Sequence, residues 1–271
     1  VALDAIEAIT GQPNTNVVGY CLGGTLLAAL LAYLETTGEA SRVSSGTFLT
    51  SMIDFSDPGG LGVFIDDEQV ESLEQKMAKD GYLDGSDMAT TFNMLRSNDL
   101  IWSFVINNYL MGDEPPVFDL LYWNSDSTRM PARMHSEYLR TMYLENRFKD
   151  PGGMTLAGVP IDISSVKTPC YFLSTQDDHI APWRSTFAGA GLFKGPVRFV
   201  LSGSGHIAGV VNPPEAGKYG HWISHSHPRG DADAWQAEAS AQQGSWWPDW
   251  QKWAAKFTGT RVKARQPGAK K

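Results

Sequence analysis

Residues Gly19-Tyr20-Cys21-Leu22-Gly23 set a cysteine between two glycines, directly after the apolar run Asn16-Val17-Val18 and directly before a long helical pattern. Glycines on both sides let a strand turn sharply into a helix, so that the central residue is held at strained angles with its side chain exposed. At the N-terminus of such a helix the unpaired N–H groups and the partial positive charge favour negative charge on a sulfur or on an oxygen bound beside it. Leu22, with Gly23 behind it, is the expected source of oxyanion donors. The chemistry implied is nucleophilic attack by Cys21 on an acyl group. A buried cysteine beside a glycine-rich turn is the plain alternative, and catalytic partners decide between them.

The partners occur in the chain order of an α/β-hydrolase: nucleophile, acid after a later strand, histidine in a loop after the last strand. Pro169-Cys170-Tyr171-Phe172-Leu173-Ser174-Thr175 reads as a buried strand and ends in Gln176-Asp177-Asp178-His179-Ile180. A second β-like run, Pro196 to Leu201, leads into Ser202-Gly203-Ser204-Gly205-His206-Ile207-Ala208-Gly209. Cys21, Asp178 and His206 each fall at a strand-to-loop junction, which makes them the candidate nucleophile, acid and base.

The elements that must position these residues follow from pattern. Leu3, Ile6 and Ile9 share a helix face that stops at Gly11. Gly24 to Leu34 is apolar almost all round, as for a helix packed on a sheet beneath other structure, with Gly23 and Gly24 permitting close helix-to-strand contact. Gly46 to Phe55 reads as the next core strand, broken by Asp57-Pro58-Gly59-Gly60. Asp54 is an alternative acid, although a turn or N-cap carboxylate is its simpler role. The fold expected is α/β: a hydrolase core over 1–58, a mainly helical cap inserted over 59–150, the core resuming over 151–260 with the acid and histidine loops, and a basic tail over 261–271.

Within the cap, Asp67 to Lys79, Leu100 to Met111 and Pro131 to Phe148 are the expected helices. The stretch from Asn98 to Leu110 is apolar on most faces, which is most simply core packing, with a partner subunit or a substrate entrance as alternatives. Asp54, Trp123, Asn124, His179 and Ile207 are the candidate residues lining the substrate site or the cap. The C-terminal part is rich in tryptophan, of which Trp250 and Trp253, three apart, are expected to pack on the body, with a short helix from Trp250 to Lys256.

The chain has 271 residues, of which 42% are hydrophobic and 19% charged, enough for a substantial core in one catalytic domain with an insertion. A net charge of −8 argues against nucleic acid as the main partner. No apolar stretch reaches the roughly 18–20 residues a bilayer span needs, and Val1-Ala2-Leu3-Asp4 does not read as a signal peptide. With Cys21 assigned to chemistry and Cys170 in a buried strand pattern, both are expected as free thiols in the cytoplasm. His221, His225 and His227 lack a completing ligand set, so no metal is expected, and no cofactor. His135 is a surface or packing residue. Only about twenty residues precede Cys21, whereas hydrolase cores carry several strands before the elbow; the first core strands, with part of the oxyanion hole, are therefore expected to lie in a longer protein.

Through Gly19-Tyr20-Cys21-Leu22-Gly23-Gly24, Asp177-Asp178-His179-Ile180-Ala181-Pro182-Trp183 and Gly203-Ser204-Gly205-His206-Ile207-Ala208-Gly209-Val210, the chain resembles the polyhydroxyalkanoate synthases. The elbow sequence is similar to that of the class I enzymes, which favour short 3-hydroxyacyl-CoA thioesters such as 3-hydroxybutyryl-CoA. The resemblance implies cytoplasmic polymerisation with release of CoA, a growing polyester and its granule surface as partners, a homodimer, and Cys21, Asp178 and His206 in the family's catalytic roles. Members are about twice this length.

Elementary chemistry agrees with a thioester polymerase. Attack of Cys21 on an acyl-CoA exchanges one thioester for another and keeps the acyl group reactive, where a serine ester would lose much of that reactivity. His206 would take the thiol proton and later deprotonate an incoming 3-hydroxyl, Asp178 would orient the imidazole, and an apolar cap would keep water out. Two other readings remain open. A cysteine hydrolase acting on esters, thioesters or lactones would share the triad but release a free acid. A non-enzymatic granule-associated scaffold would leave Cys21 no more reactive than Cys170.

Overall fold

The computed structural model describes residues 1–95, 97, 101–115, 122 and 126–264. Trp123, Asn124, the start of the helix expected from Leu100 and most of the basic tail lie outside the described residues. Among the described residues the main sheet has six strands. Thr15–Tyr20 (β1) and Val43–Leu49 (β2) pair in parallel. Two short antiparallel ladders follow outside that sheet, Tyr82–Leu83 (β3) with Met130–Pro131 (β4), and Met154–Leu156 (β5) with Val159–Ile161 (β6). Cys170–Thr175 (β7) then pairs in parallel with β2, and Val197–Ser202 (β8) in parallel with β7. His221–Ile223 (β9) and Ser240–Gln242 (β10) close the sheet antiparallel, in the order β1-β2-β7-β8-β9-β10. Four parallel strands therefore end at one edge, where ligands bind in open α/β sheets.

Strands β7 and β8 are buried on both faces, which is why they read as continuous apolar runs. Alternation sends their side chains into two cores. Phe172 and Phe199 face one way, and Phe172 stacks on Phe48 of β2 with ring centroids 4.3 Å apart. Tyr171, Leu173 and Val200 face the other way, under Trp246 and Trp253. The helix Ala2–Thr10 (α1) ends at Gly11, whose φ of 69° is the left-handed conformation that stops a helix without a Cβ penalty. The helix Leu22–Thr37 (α2) lies on the Phe48 face, burying Leu27, Leu31 and Leu34. It was expected to be covered almost all round, yet Leu26 is 68% exposed, because only one side of α2 has a sheet to lie on. On the opposite face of the sheet, Val18 of the edge strand β1 is 53% exposed.

The strand expected over Gly46 to Phe55 is corrected to Val43–Leu49, since Thr50 takes a φ of 45° and turns the chain out of the sheet. Among the described residues between Gly59 and Asp150 no strand joins the main sheet. Asp67–Asp80 forms as expected, with the Asp66 side chain accepting from the Gln69 N–H at 2.8 Å. A helix over Gly85–Leu95 had no counterpart in the pattern reading. The helix expected to run from Pro131 to Phe148 covers Ala132–Tyr138 and continues as a π-helical turn, Leu139–Leu144. It stops there because Asn146 is left-handed, with φ 49° and ψ 35°. Core packing for the stripe around Val105–Leu110 is also corrected: Trp102, Ile106, Tyr109 and Leu110 are exposed, since a helix apolar on most faces finds a surface for only one of them.

The last helix is Trp247–Ala254, beginning three residues before Trp250 with Pro248 in its first turn, where a missing N–H costs nothing. It is tied down by Asp249, which accepts from Arg198 Nε at 2.7 Å and from the Tyr171 hydroxyl at 3.1 Å. Both charges are mostly buried, with side chains 20% and 17% exposed, so removing one strands the other. Asp249→Ala is expected to lower stability by about 2 kcal/mol, read as a shift in the urea midpoint, while Asp233→Ala, whose pair with Arg184 is exposed, is expected to cost under about 1 kcal/mol.

Candidate active site

Three side chains meet where the parallel strands end. Cys21 follows β1 and caps α2 with φ 52° and ψ −122°, a strained conformation for a non-glycine residue. Its N–H continues the sheet ladder by donating to the Leu49 carbonyl at 2.9 Å. The close approaches that permit the turn are at Gly19 and Gly24. A Cβ on Gly19 would stand 2.5 Å from the Gly23 carbonyl oxygen, and one on Gly24 would stand 1.9 Å from Ser51 Oγ. Gly23, expected to share this constraint, has open space around its Cβ position. Leu22 and Gly23 form the first turn of α2, so their N–H groups have no partner within the helix and face its N-terminal end, beside Cys21.

Asp178 follows β7 in a tight turn that satisfies its carboxylate. Oδ1 accepts from the N–H groups of Ile180 and Ala181, each at 2.9 Å; Oδ2 accepts from Thr175 Oγ1 at 3.2 Å and lies 2.7 Å from His206 Nδ1. The Asp178 side chain is fully buried. His206 follows β8 and lies within hydrogen-bond reach of Cys21. Burial by itself would lower the imidazole pKa, but the hydrogen bonds and negative charge of Asp178 and Cys21 outweigh it and raise it to about 9. A proton leaving the sulfur thus has a stable place on His206, with Asp178 behind it.

The histidine loop is held from three sides. Tyr20 donates its hydroxyl to the His206 carbonyl at 2.9 Å, and its ring lies 5.3 Å from the imidazole. Trp246 Nε1 donates to the Gly209 carbonyl at 3.1 Å, and Trp247 Nε1 to that of Val210 at 3.0 Å. Gly209 has no room for a Cβ, which would come within 2.6 Å of the Gly203 carbonyl. Trp246 and Trp247, to which spacing assigned no role, therefore hold the loop that carries His206.

Over Cys21 the cap contributes Tyr138 and Tyr143, whose hydroxyls bond to each other. Burial, more than any charge nearby, pushes Tyr143 up to about 12 and Tyr138 well above the ordinary phenol value. With Cys21, Thr25, Thr50 and Met52 they enclose a cavity of 20 Å³, room for one water-sized group. None of these cap or strand-end residues was anticipated as site lining. Ile180 and Ala181 also line the cavity, whereas their neighbour His179 and Ile207 of the histidine loop are not among its walls.

Asp54, the alternative acid, is not beside His206. It accepts from Asn146 Nδ2 at 2.8 Å and from the Ser56 N–H at 2.9 Å, with Lys149 Nζ 3.5 Å away. Burial opposes its ionisation, but these hydrogen bonds and the lysine hold its carboxyl below the ordinary value. It ties the end of the cap to the core. His221 and His227 each place a ring nitrogen on a backbone carbonyl, of Gly244 and Phe193, and His135 is buried in the cap.

Cys21 is half-exposed, whereas Cys170 is fully buried with its thiol on the Thr168 carbonyl, and burial pushes that thiol's pKa far up. Iodoacetamide is expected to alkylate Cys21 at least about a hundredfold faster than Cys170 in the native protein, read by peptide mass analysis. The His206 ring is expected to titrate near pH 9 by NMR, and lower in Asp178→Asn. Because the folded value lies above the ordinary 6.5, the stabilisation from a charged His206 is complete below about pH 6.5 and is lost as pH rises through about 9. Urea midpoints across that window are expected to fall more in the native protein than in Asp178→Asn.

Known proteins place this geometry in a family. Residues 1–213 match the family model of the α/β hydrolase fold. The chain is 53% identical over 267 residues to a poly(3-hydroxyalkanoate) polymerase subunit PhaC of Rhizobium meliloti, covering 98% of this chain and 43% of that protein. It is 51% identical to the poly(3-hydroxyalkanoate) polymerase of Methylorubrum extorquens, covering 98% and 44%, and 42% identical to the PhaC of Cupriavidus necator, covering 96% and 45%. It spans less than half the length of these curated relatives. On its sheet order, its elbow and the family match over most of its length, the chain belongs to the α/β hydrolase fold family, and its near relatives by sequence are named poly(3-hydroxyalkanoate) polymerases.

Proposed function

We propose that this chain carries the acyl-transfer centre of a polyhydroxyalkanoate polymerase, which joins short 3-hydroxyacyl groups from CoA thioesters into a polyester and releases CoA. The carrying observation is a cysteine at the elbow, backed by His206 and Asp178, in a chain 53% identical to a protein named as such a polymerase. The Cys21 sulfur attacks the thioester carbonyl while His206 holds its proton. The tetrahedral oxygen is met by N–H groups at the start of α2, Leu22 first. Collapse expels the CoA sulfur, which takes the proton from His206, and leaves the acyl group on Cys21.

In the second half His206 removes the proton of a 3-hydroxyl on a monomer or chain end. That oxygen attacks the acyl-cysteine, an ester bond forms, and the C–S bond breaks to return the thiol with the proton held by His206. Conversion of a thioester to an ester is downhill, so the chain grows provided water does not compete. Tyr138, Tyr143 and Met52 supply that exclusion. The tyrosines stand over the sulfur, so substrate entry displaces them. The resemblance to polyhydroxyalkanoate synthases carries three companion proposals: a cytoplasmic location, action at the surface of a polyester granule, and a homodimer.

The test is addition of 3-hydroxybutyryl-CoA to the protein and to Cys21→Ala, following free CoA and intact protein mass together. The expected outcome is CoA release with hydroxybutyryl units added stepwise to the native protein, and release lower by about a thousandfold or more in the variant. Free 3-hydroxybutyrate in place of bound oligomer would make the chain a hydrolase, the reading the fold family also allows. Equal CoA release from both proteins would overturn the role of Cys21.

A further inference from the structure

Thr50 carries two features that packing does not explain. It is fully buried and follows β2, donating its N–H to the Leu173 carbonyl at 2.7 Å, yet it adopts a φ of 45°. For a β-branched residue that is an outlier, and glycine or asparagine is what such a turn ordinarily takes. Its Oγ1 is also buried with no hydrogen-bond partner, although valine has the same shape without a hydroxyl to leave unpaired.

The surroundings give that hydroxyl a use. Thr50 is a wall of the cavity beside Cys21, and each of the other hydroxyls there has a partner, whereas that of Thr50 has none. Thr25 Oγ1 donates to the Met52 carbonyl at 2.8 Å, and Tyr138 and Tyr143 bond to each other. Next to Thr50, Ser51 Oγ donates to the Leu49 carbonyl at 2.9 Å. An acyl group on Cys21 turns its carbonyl oxygen toward the start of α2, so the next polar atom along the acyl chain is the oxygen on carbon 3. We infer that Thr50 is a specificity-determining residue whose hydroxyl donates to the 3-oxygen of a 3-hydroxyacyl group held at Cys21, distinguishing such thioesters from unsubstituted acyl thioesters. The inference rests on the acyl-cysteine reading above and adds the group that recognises the substrate. A site that presents a buried hydroxyl to a substrate oxygen rejects the analogue lacking that oxygen, because the protein hydroxyl is then left unpaired.

The experiment compares the initial rate of Cys21 acylation by 3-hydroxybutyryl-CoA and by butyryl-CoA, read by intact mass, in the native protein, Thr50→Val and Thr50→Ser. In Thr50→Val the 3-hydroxybutyryl rate is expected to fall about 10–100-fold while the butyryl rate changes less than about threefold. Thr50→Ser, which keeps the hydroxyl, is expected to keep the native ratio within about threefold. The thermal midpoint of Thr50→Val is expected not to fall, since shape is kept and an unpaired hydroxyl is removed. A native rate ratio in Thr50→Val would overturn the inference. If neither thioester acylates Cys21 in the native protein, the acyl-transfer reading fails, and an unreactive probe still decides Thr50. N-ethyl-3-hydroxybutyramide is expected to protect Cys21 from iodoacetamide better than N-ethylbutyramide in the native protein, and equally in Thr50→Val; equal protection in both proteins would overturn the inference.

Discussion

The left-handed turn at Cys21 is the constraint on which the rest of the site depends. A non-glycine residue at φ 52° is held against about 1–3 kcal/mol of backbone strain, and the surrounding structure must supply that. It does so through the ladder bond from the Cys21 N–H to Leu49, through the contact of α2 on β1, and through glycines at positions where a methyl group would strike backbone or Ser51. The side chain is thereby presented at the end of the sheet, at the start of a helix, with the unpaired N–H groups of Leu22 and Gly23 beside it. Pre-organisation of this kind requires no rearrangement when charge develops.

His206 is held with equal care, by a different device. Asp178 accepts four hydrogen bonds, so its burial is compensated and its charge is directed at Nδ1 of His206. The loop carrying the imidazole has three ties, one from the elbow strand through Tyr20 and two from the tryptophans before and within the last helix. Those ties link the far end of the chain to the first strand's chemistry. Arg198, Asp249 and Tyr171 in turn secure that helix to the sheet, so an ion pair remote from the sulfur contributes to the position of the base.

The cap contributes enclosure. Its helix over Ala132–Tyr138 and the π-helical turn after it bring two tyrosines over Cys21, and the left-handed Asn146 returns the chain to the core by bonding Asp54 and the Phe55 N–H. Asp54 is thus a structural carboxylate at the junction of cap and core. A π-helical turn shifts the register by one residue, which places Tyr138 and Tyr143, five apart, on one side where an α-helix would splay them. Thr50 faces the same cavity from the strand end beneath.

Much of this was legible in the residues. Gly19-Tyr20-Cys21-Leu22-Gly23 identified the elbow because glycine is the residue that tolerates such close backbone approach, and β7 and β8 announced themselves because strands buried on both faces must be apolar throughout. Asp178 and His206 followed from their place just after those strands. What the pattern did not carry were contacts between distant segments: Trp246 on Gly209, Asn146 on Asp54, the paired tyrosines over the sulfur, and the early exit of β2 at Thr50. Each depends on how separate elements pack, and no local spacing encodes it. The exposed stripe of Trp102 and Tyr109 shows the same limit in reverse, since an apolar helix looks alike in sequence whether or not a surface lies against it. The sequence by itself determined the elbow, the candidate triad and the strands that bear them, because those rest on local backbone geometry. Only the tertiary structure decided which groups enclose the sulfur, because enclosure is a property of elements that meet across the chain.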